Sequence, residues 1–177
     1  MGDVLTPRLV LHPMSPADAE RLLARTPGAG DRWAAGYPAE VDLVGARNFL
    51  TTCTEQGDPG PFGSYEIRRR ADGTAIGGLG FHGPVDEEGS VTIGYGLIPS
   101  ERGRGYATEA LRALVELARR LGARSVRGDT SHDNVASQHV MAAVGLRLVA
   151  EDDQLKYYEL ALTDPAPAED GAVAEAR

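Results

Sequence analysis

The chain has 177 residues, of which 42% are hydrophobic and 25% charged, and its formal net charge at pH 7 is −8. This length suits one domain with a proper core and is short for two, and the composition is that of an ordinary globular protein. The acidic balance argues against a general nucleic-acid binder, which needs a basic surface to displace counterions from phosphates.

Targeting and redox signals are sparse. The amino-terminal residues lack a basic segment followed by a long apolar run, and no stretch of about 18 consecutive apolar residues occurs. We therefore expect a cytoplasmic protein without a membrane partner. Cys53 is the single cysteine, so no intrachain disulfide and no CxxC metal motif can form. We expect Cys53 to be a buried thiol and the protein to need no metal.

Hydrophobic periodicity and turn residues predict the element order β, α, α, β, β, β, α, β, α, β, β. The predicted strands cover 8–14, a hairpin over 64–81, 90–98, 123–130, 146–150 and 154–162, and the predicted helices follow Ser15 and cover 40–56, 106–122 and 135–144. A hairpin-rich first half followed by a βαβ-like unit indicates a mixed α/β (α+β) fold, in which helices cover a mixed sheet.

The second predicted helix, over 40–56, ends at Gly57. Its apolar positions predict a buried side formed by Val44, Phe49, Leu50 and Cys53.

Gly78 to Gly83 satisfy the GxGxxG pattern of dinucleotide-binding proteins. That motif requires a helix directly after the third glycine, whose amino terminus holds the pyrophosphate. Here Pro84 and an acidic run, residues 86–88, follow instead. We therefore interpret these glycines as strand residues that allow a twisted strand and close backbone approach.

Residues 102–105, RGRG, lie between the predicted strand 90–98, which ends at Pro99, and the helix that begins at Tyr106. Glycines permit a tight backbone curve here, and a helix amino terminus points its unpaired N–H groups and positive dipole end into that curve. The RGRG loop is thus predicted to bind an anion. Because no GK[ST] sequence follows, it is not a Walker P-loop.

Residues 102–107, RGRGYA, match the Arg/Gln-x-x-Gly-x-Gly/Ala acyl-CoA motif of the GNAT N-acetyltransferases, and VTIGYGLIPSERGRGYATEAL resembles the RimJ/RimL-type branch. TPRLVLHPMSPADAERLL resembles that branch's first strand and helix, and DNVASQHVMAAVGLRLV resembles its Asn-x-x-Ser helix and the strand after it. The resemblance covers residues 5–162. It implies a single GNAT domain over 1–163, with a mostly antiparallel sheet that splays between strands 90–98 and 124–130. We expect the acidic Pro/Ala-rich tail, 164–177, to be disordered.

The resemblance also implies a site for acetyl-CoA, as co-substrate, in the gap of the splayed sheet. The pantetheine arm would pair with the main chain near Leu97 and Ile98, and a backbone N–H near Leu97 would steady the oxyanion. Asn134 and Ser137 would lie near the pantetheine and the thiol. The phosphates would bind the loop and the first helical turn, at Arg102, Gly103, Arg104, Gly105, Tyr106, Ala107 and Thr108.

Two positions depart from the family pattern. Thr92 stands where the branch usually has the glutamate that is the candidate base, and Met141 stands where many members have a tyrosine that serves as general acid. Ser137 is then the nearest proton donor by motif. His82, Asp129 and Glu66 are candidate replacement bases.

Other residues carry weaker hypotheses. The strand tyrosines either line an acceptor pocket or belong to the core. The acidic run either meets a cationic substrate or is solvated. Cys53 lacks the neighbouring histidine that an acyl-carrying nucleophile needs. The tyrosines concerned are Tyr95, Tyr157 and Tyr158.

The sequence thus predicts an acetyl-CoA-dependent enzyme that transfers acetyl directly to a primary amine, either a small-molecule amine or antibiotic or a protein amino terminus. The alternative is a non-catalytic acyl-CoA-binding or sensor domain, which the changes at Thr92 and Met141 motivate. A third interpretation is a protein-interaction domain without ligand. Because homodimers are common in the family, a homodimer is a further expectation.

Overall fold

The computed structural model describes residues 1–162, in which one mixed sheet of eight strands is flanked by four α-helices. The strands are β1 (Val4–Leu5), β2 (Leu9–Pro13), β3 (Ser64–Arg69), β4 (Ala75–Phe81), β5 (Ser90–Leu97), β6 (Ser125–Ser131), β7 (Arg147–Glu151) and β8 (Leu155–Ala161). The helices are α1 (Pro16–Ala24), α2 (Glu40–Gln56), α3 (Tyr106–Arg120) and α4 (Val135–Ala143). The predicted disordered tail, 164–177, lies outside the described residues.

The predicted element order and mixed α/β class are confirmed, with one addition. The two-residue strand β1 pairs with β2 before the first predicted strand. A strand this short has too few residues for a period-2 pattern, so the sequence could not indicate it. Its turn is held by Thr6, whose N–H donates to Leu9 O at 3.0 Å.

The sheet has the order β1-β2-β3-β4-β5-β6-β8-β7. Among the described strands, neighbours are antiparallel except β5 and β6, which are parallel. The β5–β6 pairing covers residues 90–92 of β5 and 125–127 of β6, and the two strands diverge beyond it. This divergence confirms the predicted splay.

Helices cover both faces of the sheet. Leu79 and Phe81 of β4 share a buried cluster with Leu111 and Leu114 of α3. The alternate position Gly78 faces Asp42 of α2 on the other face, as the period-2 alternation of a strand requires.

Local capping signals place the helices. Ser15 caps α1: it accepts from the Asp18 N–H while Asp18 accepts from the Ser15 N–H, which forms a capping box. Gly57 ends α2 and Gly122 follows the end of α3, each with a positive φ. These boundaries agree with the predicted ones.

The predicted buried face of α2 is wrong at one position. Val44 is 45% exposed, whereas Leu43, Ala46 and Phe49 form the buried stripe. Positions 43, 46 and 49 share a face at the helical period, and Val44 lies about 100° around the axis from Leu43. Leu50 and Cys53 are half-buried.

Within residues 1–162, none of the helices combines the length and the apolar content that crossing a bilayer requires.

Candidate active site

The gap between β5 and β6 leaves main-chain groups of β5 without a strand partner. Ile98 donates its N–H to Ile76 O on the β4 side. Because antiparallel hydrogen bonding alternates along a strand, the main-chain groups of Tyr95 and Leu97 point the other way, towards the gap. The ladder to β6 has already ended at Thr92. The gap therefore offers main-chain donors and acceptors to an extended ligand.

This register corrects one predicted contact. The Ile98 N–H donates to Ile76 O at 3.0 Å, and its carbonyl accepts from Glu101 N at 3.1 Å. Its side chain is buried as well. Ile98 therefore does not present its main chain to the gap, whereas the Leu97 N–H does.

A cavity of about 320 Å³ crosses the sheet at this gap. Its floor consists of glycines from two paired strands, because Gly78 pairs with Gly96 and Gly80 with Gly94. Because glycines have no side chains, the floor is bare backbone, and side chains from other elements, among them Asp42 and His82, approach it closely. The lining on the opposite side of the gap comes from β6 and α4.

Asp42 lies in the first turn of α2, over the glycine floor. It is only 7% exposed, and its Oδ2 accepts from the Ala39 N–H at 2.8 Å. Burial raises the pKa of Asp42 to about 6, and the nearby charge of Glu66 acts in the same direction. No sequence signal singles out Asp42, because an acid in a helix's first turn is explained by the helix dipole alone.

Glu66 is held by its neighbours. Its Oε2 accepts from the Tyr37 hydroxyl at 3.0 Å, and its Oε1 accepts from Arg68 Nε at 2.6 Å. Burial, together with Glu66, raises the pKa of Tyr37, so the phenol remains a donor. With both oxygens engaged and an arginine as counterion, Glu66 is poorly suited to act as the predicted replacement base.

Tyr95 and Ser137 meet across the gap. The Tyr95 hydroxyl lies 2.6 Å from Ser137 Oγ and 3.2 Å from Ser137 O. Burial raises the pKa of Tyr95, while the hydrogen bond with Ser137 opposes the rise. Asn134 accepts from the Ser137 N–H at 3.1 Å and so caps α4. The structure thus brings the predicted donor Ser137 together with a tyrosine that the sequence offered only as lining.

The RGRG loop has the backbone that its glycines predict. Gly103 and Gly105 have φ of 77° and 81°, in the left-handed region that favours glycine. Gly105 is the N-cap of α3 and provides no side-chain cap. The N–H groups of the first turn, at Tyr106, Ala107 and Thr108, therefore keep the unpaired donors typical of a helix start. This donor set fits a phosphate.

The arginines of the loop differ in their surroundings. Arg102 turns back towards β5, where its Nε donates to Leu97 O at 3.1 Å. Within the described part of the chain, the Arg104 side chain has no hydrogen-bond or ion-pair partner, and it is exposed. Arg104 is thus free to meet an anion, whereas Arg102 also holds the loop to the strand.

Arg8, outside the predicted site, anchors this loop. Its Nε donates to Glu109 Oε2 at 2.7 Å, its Nη1 donates to Arg104 O at 2.8 Å, and its guanidinium carbon lies 4.6 Å from the ring centre of Tyr106. Thr6 donates to the other oxygen of Glu109 at 2.7 Å. The first strands and α3 are therefore tied together at the loop. No local signal near residue 8 points to this role.

Two further candidate bases lie at the cavity with exposed side chains. His82 lies over Gly94, where its Nε2 is 2.6 Å from the position that a Cβ would occupy. Asp129 lines the β6 side of the cavity. Thr92 lines a separate, smaller cavity on this part of the sheet.

Several other candidates lie away from the large cavity. In the acidic run, Asp86 and Glu88 accept from Arg127 at 3.5 Å and 2.7 Å, so they meet a cation of the protein itself. Tyr157 donates to Asp152 Oδ2 at 2.6 Å. Cys53 does not line the cavity, and burial raises the pKa of its thiol, which disfavours the nucleophilic thiolate.

The sheet splays beside a glycine loop that precedes a helix. This arrangement is typical of acyltransferases that bind a CoA thioester in the gap of the sheet. A family model described as an acetyltransferase (GNAT) domain matches residues 8–147. The chain therefore belongs to the GNAT acetyltransferase family, whose members use acetyl-CoA or CoA. Among the described residues, no group of His, Cys, Asp and Glu is arranged to hold a metal ion.

Individual relatives agree with this assignment. The chain is 31% identical over 99 residues to YjdG of Bacillus subtilis strain 168, described as an uncharacterized N-acetyltransferase. The match covers 55% of this chain and 58% of YjdG. The match thus spans little more than half the length of that relative. The fold resembles a ribosomal-protein-S5-alanine acetyltransferase from Vibrio fischeri, with a TM-score of 0.69, 13% identity and coverage of 94% and 100% of the two chains.

The fold is also similar to that of RimL, a ribosomal L7/L12 α-N-protein acetyltransferase determined with coenzyme A. The TM-score is 0.65 at 17% identity, over 90% of this chain and 97% of RimL. These neighbours agree with the fold that the resemblance seen in the sequence implied.

Proposed function

We propose that the protein transfers acetyl from acetyl-CoA directly to a primary amine in a ternary complex, within one domain over 1–163. The observation that carries this proposal is the cavity that crosses the splayed sheet. It joins the gap beside the RGRG loop, where the donor would bind, to the glycine floor under α2, where an acceptor has room. YjdG and the Vibrio fischeri protein, both named as acetyltransferases, support the same chemistry.

On the donor side, the residues have distinct roles. The N–H groups of residues 106–108 and the Arg104 side chain bind the phosphates, and Arg8 holds the loop in shape. The Tyr95 main chain, which faces the gap, pairs with the pantetheine arm. Acetyl-CoA supplies an activated acyl group, and the Leu97 N–H stabilises the oxyanion that forms on its carbonyl.

The leaving group is served by Tyr95 and Ser137. The thiolate of coenzyme A needs a proton, and the Tyr95 hydroxyl is a protonated donor in the gap, hydrogen bonded to Ser137. Ser137 replenishes that proton from the solvent side of α4. This pair takes over the role that the family's usual tyrosine would have at Met141, which is buried.

The proposal is tested by measuring thiol release from acetyl-CoA with a panel of amines and amino-terminal peptides. A mass gain of one acetyl group on the product checks that the acceptor has been acetylated. Gly105→Glu places a carboxylate at the amino terminus of α3 and is expected to abolish turnover. Equal activity of wild type and Gly105→Glu would overturn the proposed donor site.

The rival, a non-catalytic acyl-CoA-binding or sensor domain, is favoured by Thr92, which replaces the family's usual acid and lines a separate cavity. It predicts tight acetyl-CoA binding by calorimetry with no turnover across the panel. Absence of any CoA binding would favour the interaction-domain interpretation.

A further inference from the structure

We propose that Asp42 is the residue that binds and deprotonates the acceptor, and that it selects a primary ammonium carried on an apolar group. The inference rests on the acetyl transfer proposed above and names its acceptor side.

The first support is the position of the carboxylate. Asp42 is more than nine-tenths buried at the cavity, with Oδ2 fixed by the Ala39 N–H. Oδ1 lies 3.1 Å from the position that a Cβ on Gly78 would occupy, so it points over the glycine floor. Across residues 1–162, Oδ1 has no hydrogen-bond partner. This oxygen of a buried residue is therefore open to a hydrogen-bond donor that enters the cavity.

The second support is charge. Of the two carboxylates in this region, Glu66 already has Arg68 and Tyr37 as partners. Asp42 forms no ion pair within the described part of the chain. An uncompensated buried carboxylate attracts a cation, and an ammonium supplies both the positive charge and the missing donor.

The third support is the apolar wall beside Asp42. Val41 and Val44 of α2 are each 45% exposed and line the cavity, as do Phe49 and Phe62. A volume of about 320 Å³ is at the lower end of ligand-pocket volumes. The acceptor would therefore enter amine first, with a small apolar group against this wall. A free apolar amine and a peptide that begins with an apolar residue share this chemistry.

Atoms and protons balance in the proposed step. Asp42 Oδ1 takes one proton from the ammonium and later releases it to solvent. The freed nitrogen lone pair forms the C–N bond to the acetyl carbon, and the C–S bond breaks. A second proton leaves the nitrogen for solvent, and the sulfur takes its proton from the Tyr95 and Ser137 pair. The products are the acetamide, coenzyme A thiol and one net proton.

Asp42→Asn tests the inference with Glu40→Gln as matched control. The amide introduced by Asp42→Asn keeps an acceptor for the Ala39 N–H but carries no charge, whereas Glu40 is a carboxylate of the same helical turn whose side chain is 76% exposed. We expect Asp42→Asn to lower kcat/KM for 2-phenylethylamine or 3-methylbutylamine by about 100-fold. The Kd for acetyl-CoA should stay within about threefold, which also shows that the variant is folded.

Polar and peptide acceptors define the substrate class. Ethanolamine should react less well than either apolar amine. Tetrapeptides that begin with Leu or Phe are compared with tetrapeptides that begin with Asp. Their acetylation distinguishes a peptide amino terminus from a free amine as the acceptor. Calorimetric titration of the same amines into the protein with coenzyme A measures amine binding without turnover.

Each outcome decides a proposal. If Asp42→Asn keeps kcat/KM within threefold of wild type, or if Glu40→Gln falls as far, the Asp42 inference is wrong and acetyl transfer stands. If the wild type binds amines through Asp42 but never acetylates them, the binding inference stands and the proposed transfer is wrong. If apolar amines neither bind nor react better than ethanolamine, the selection for an apolar group is wrong.

Discussion

The hydroxyl of Tyr95, on β5, lies 2.6 Å from Ser137 Oγ, on α4, and joins the two walls of the splayed gap. The two residues are 42 positions apart in the chain. A half-buried phenol hydrogen bonded to a serine at the place where the thiolate would leave is a suitable proton donor.

Tyr95→Phe keeps the ring and removes this donor. We expect kcat to fall about 10- to 100-fold because the thiolate leaves unprotonated, with a small change in the KM for acetyl-CoA. Tyr157→Phe is the matched control, since it removes a hydroxyl with an equally short hydrogen bond, to Asp152, away from the cavity. A steady-state comparison of the two variants checks the role. Equal losses in both would show that the effect is structural.

Gly105 and Gly122 lie at opposite ends of α3 with similar φ values of 81° and 86°. Alanine at either position is expected to cost about 1 kcal/mol of stability, because an L-residue is strained in the left-handed region. Only Gly105→Ala should also raise the KM for acetyl-CoA, about tenfold. Thermal unfolding and acetyl-CoA titration of both variants check this. If Gly122→Ala weakens acetyl-CoA binding as much, the loop has no special part in it.

The glycines of β4 and β5 differ in what a side chain would meet. A Cβ on Gly77 would lie 2.2 Å from the backbone Gly96 O, which cannot move aside, whereas one on Gly96 would lie 2.6 Å from Cγ1 of the exposed Val41. We expect Gly77→Ala to destabilise the fold by about 2 kcal/mol or more. Gly96→Ala should remain folded and raise the amine KM, because its methyl group fills the floor. Denaturant unfolding and amine kinetics separate the two effects.

Asp42 should make stability depend on pH. Its pKa is raised to about 6, mainly by burial, so folding disfavours the ionised form. The contribution of Asp42 to the free energy of unfolding is therefore fully present below its ordinary pKa near 4, and it is lost as the pH rises through about 6. Asp42→Asn should be more stable than wild type by about 3 kcal/mol at pH 7.5, with the gain vanishing near pH 3. Urea unfolding at the two pH values measures this. A gain that is the same at both values would contradict the burial of this charge.

The acid limb of kcat/KM against pH should report the same group. Activity is expected to rise through about pH 6 as Asp42 loses its proton, and Asp42→Asn should lose that limb. The neighbouring charged or titratable groups are Glu66, Tyr37 and Arg68, with His82 at the cavity edge. His82→Gln distinguishes Asp42 from His82 as the base. If Asp42 is the base, this variant should keep the acid limb of the pH profile.

Local signals predicted most of the fold. The helix start after Ser15, the hydrophobic periodicity of α3 and the end of α2 at Gly57 each involve residues within a few positions of one another, so they are visible in the sequence. Val44 was misassigned because helical periodicity defines a face but not which neighbouring face the sheet covers.

The sequence by itself determined the RGRG loop and the helix that begins at Tyr106, on which the proposed donor site rests, because glycine conformations and a helix amino terminus are properties of consecutive residues. Only the tertiary structure decided the arrangement on which the proposed acceptor side rests. The burial of Asp42, its bare floor at Gly78 and Gly96, and the contact of Tyr95 with Ser137 all depend on strand register and on which helix covers which face. Burial and partners set the charge state of a group, and these are properties of the packed chain rather than of any one segment.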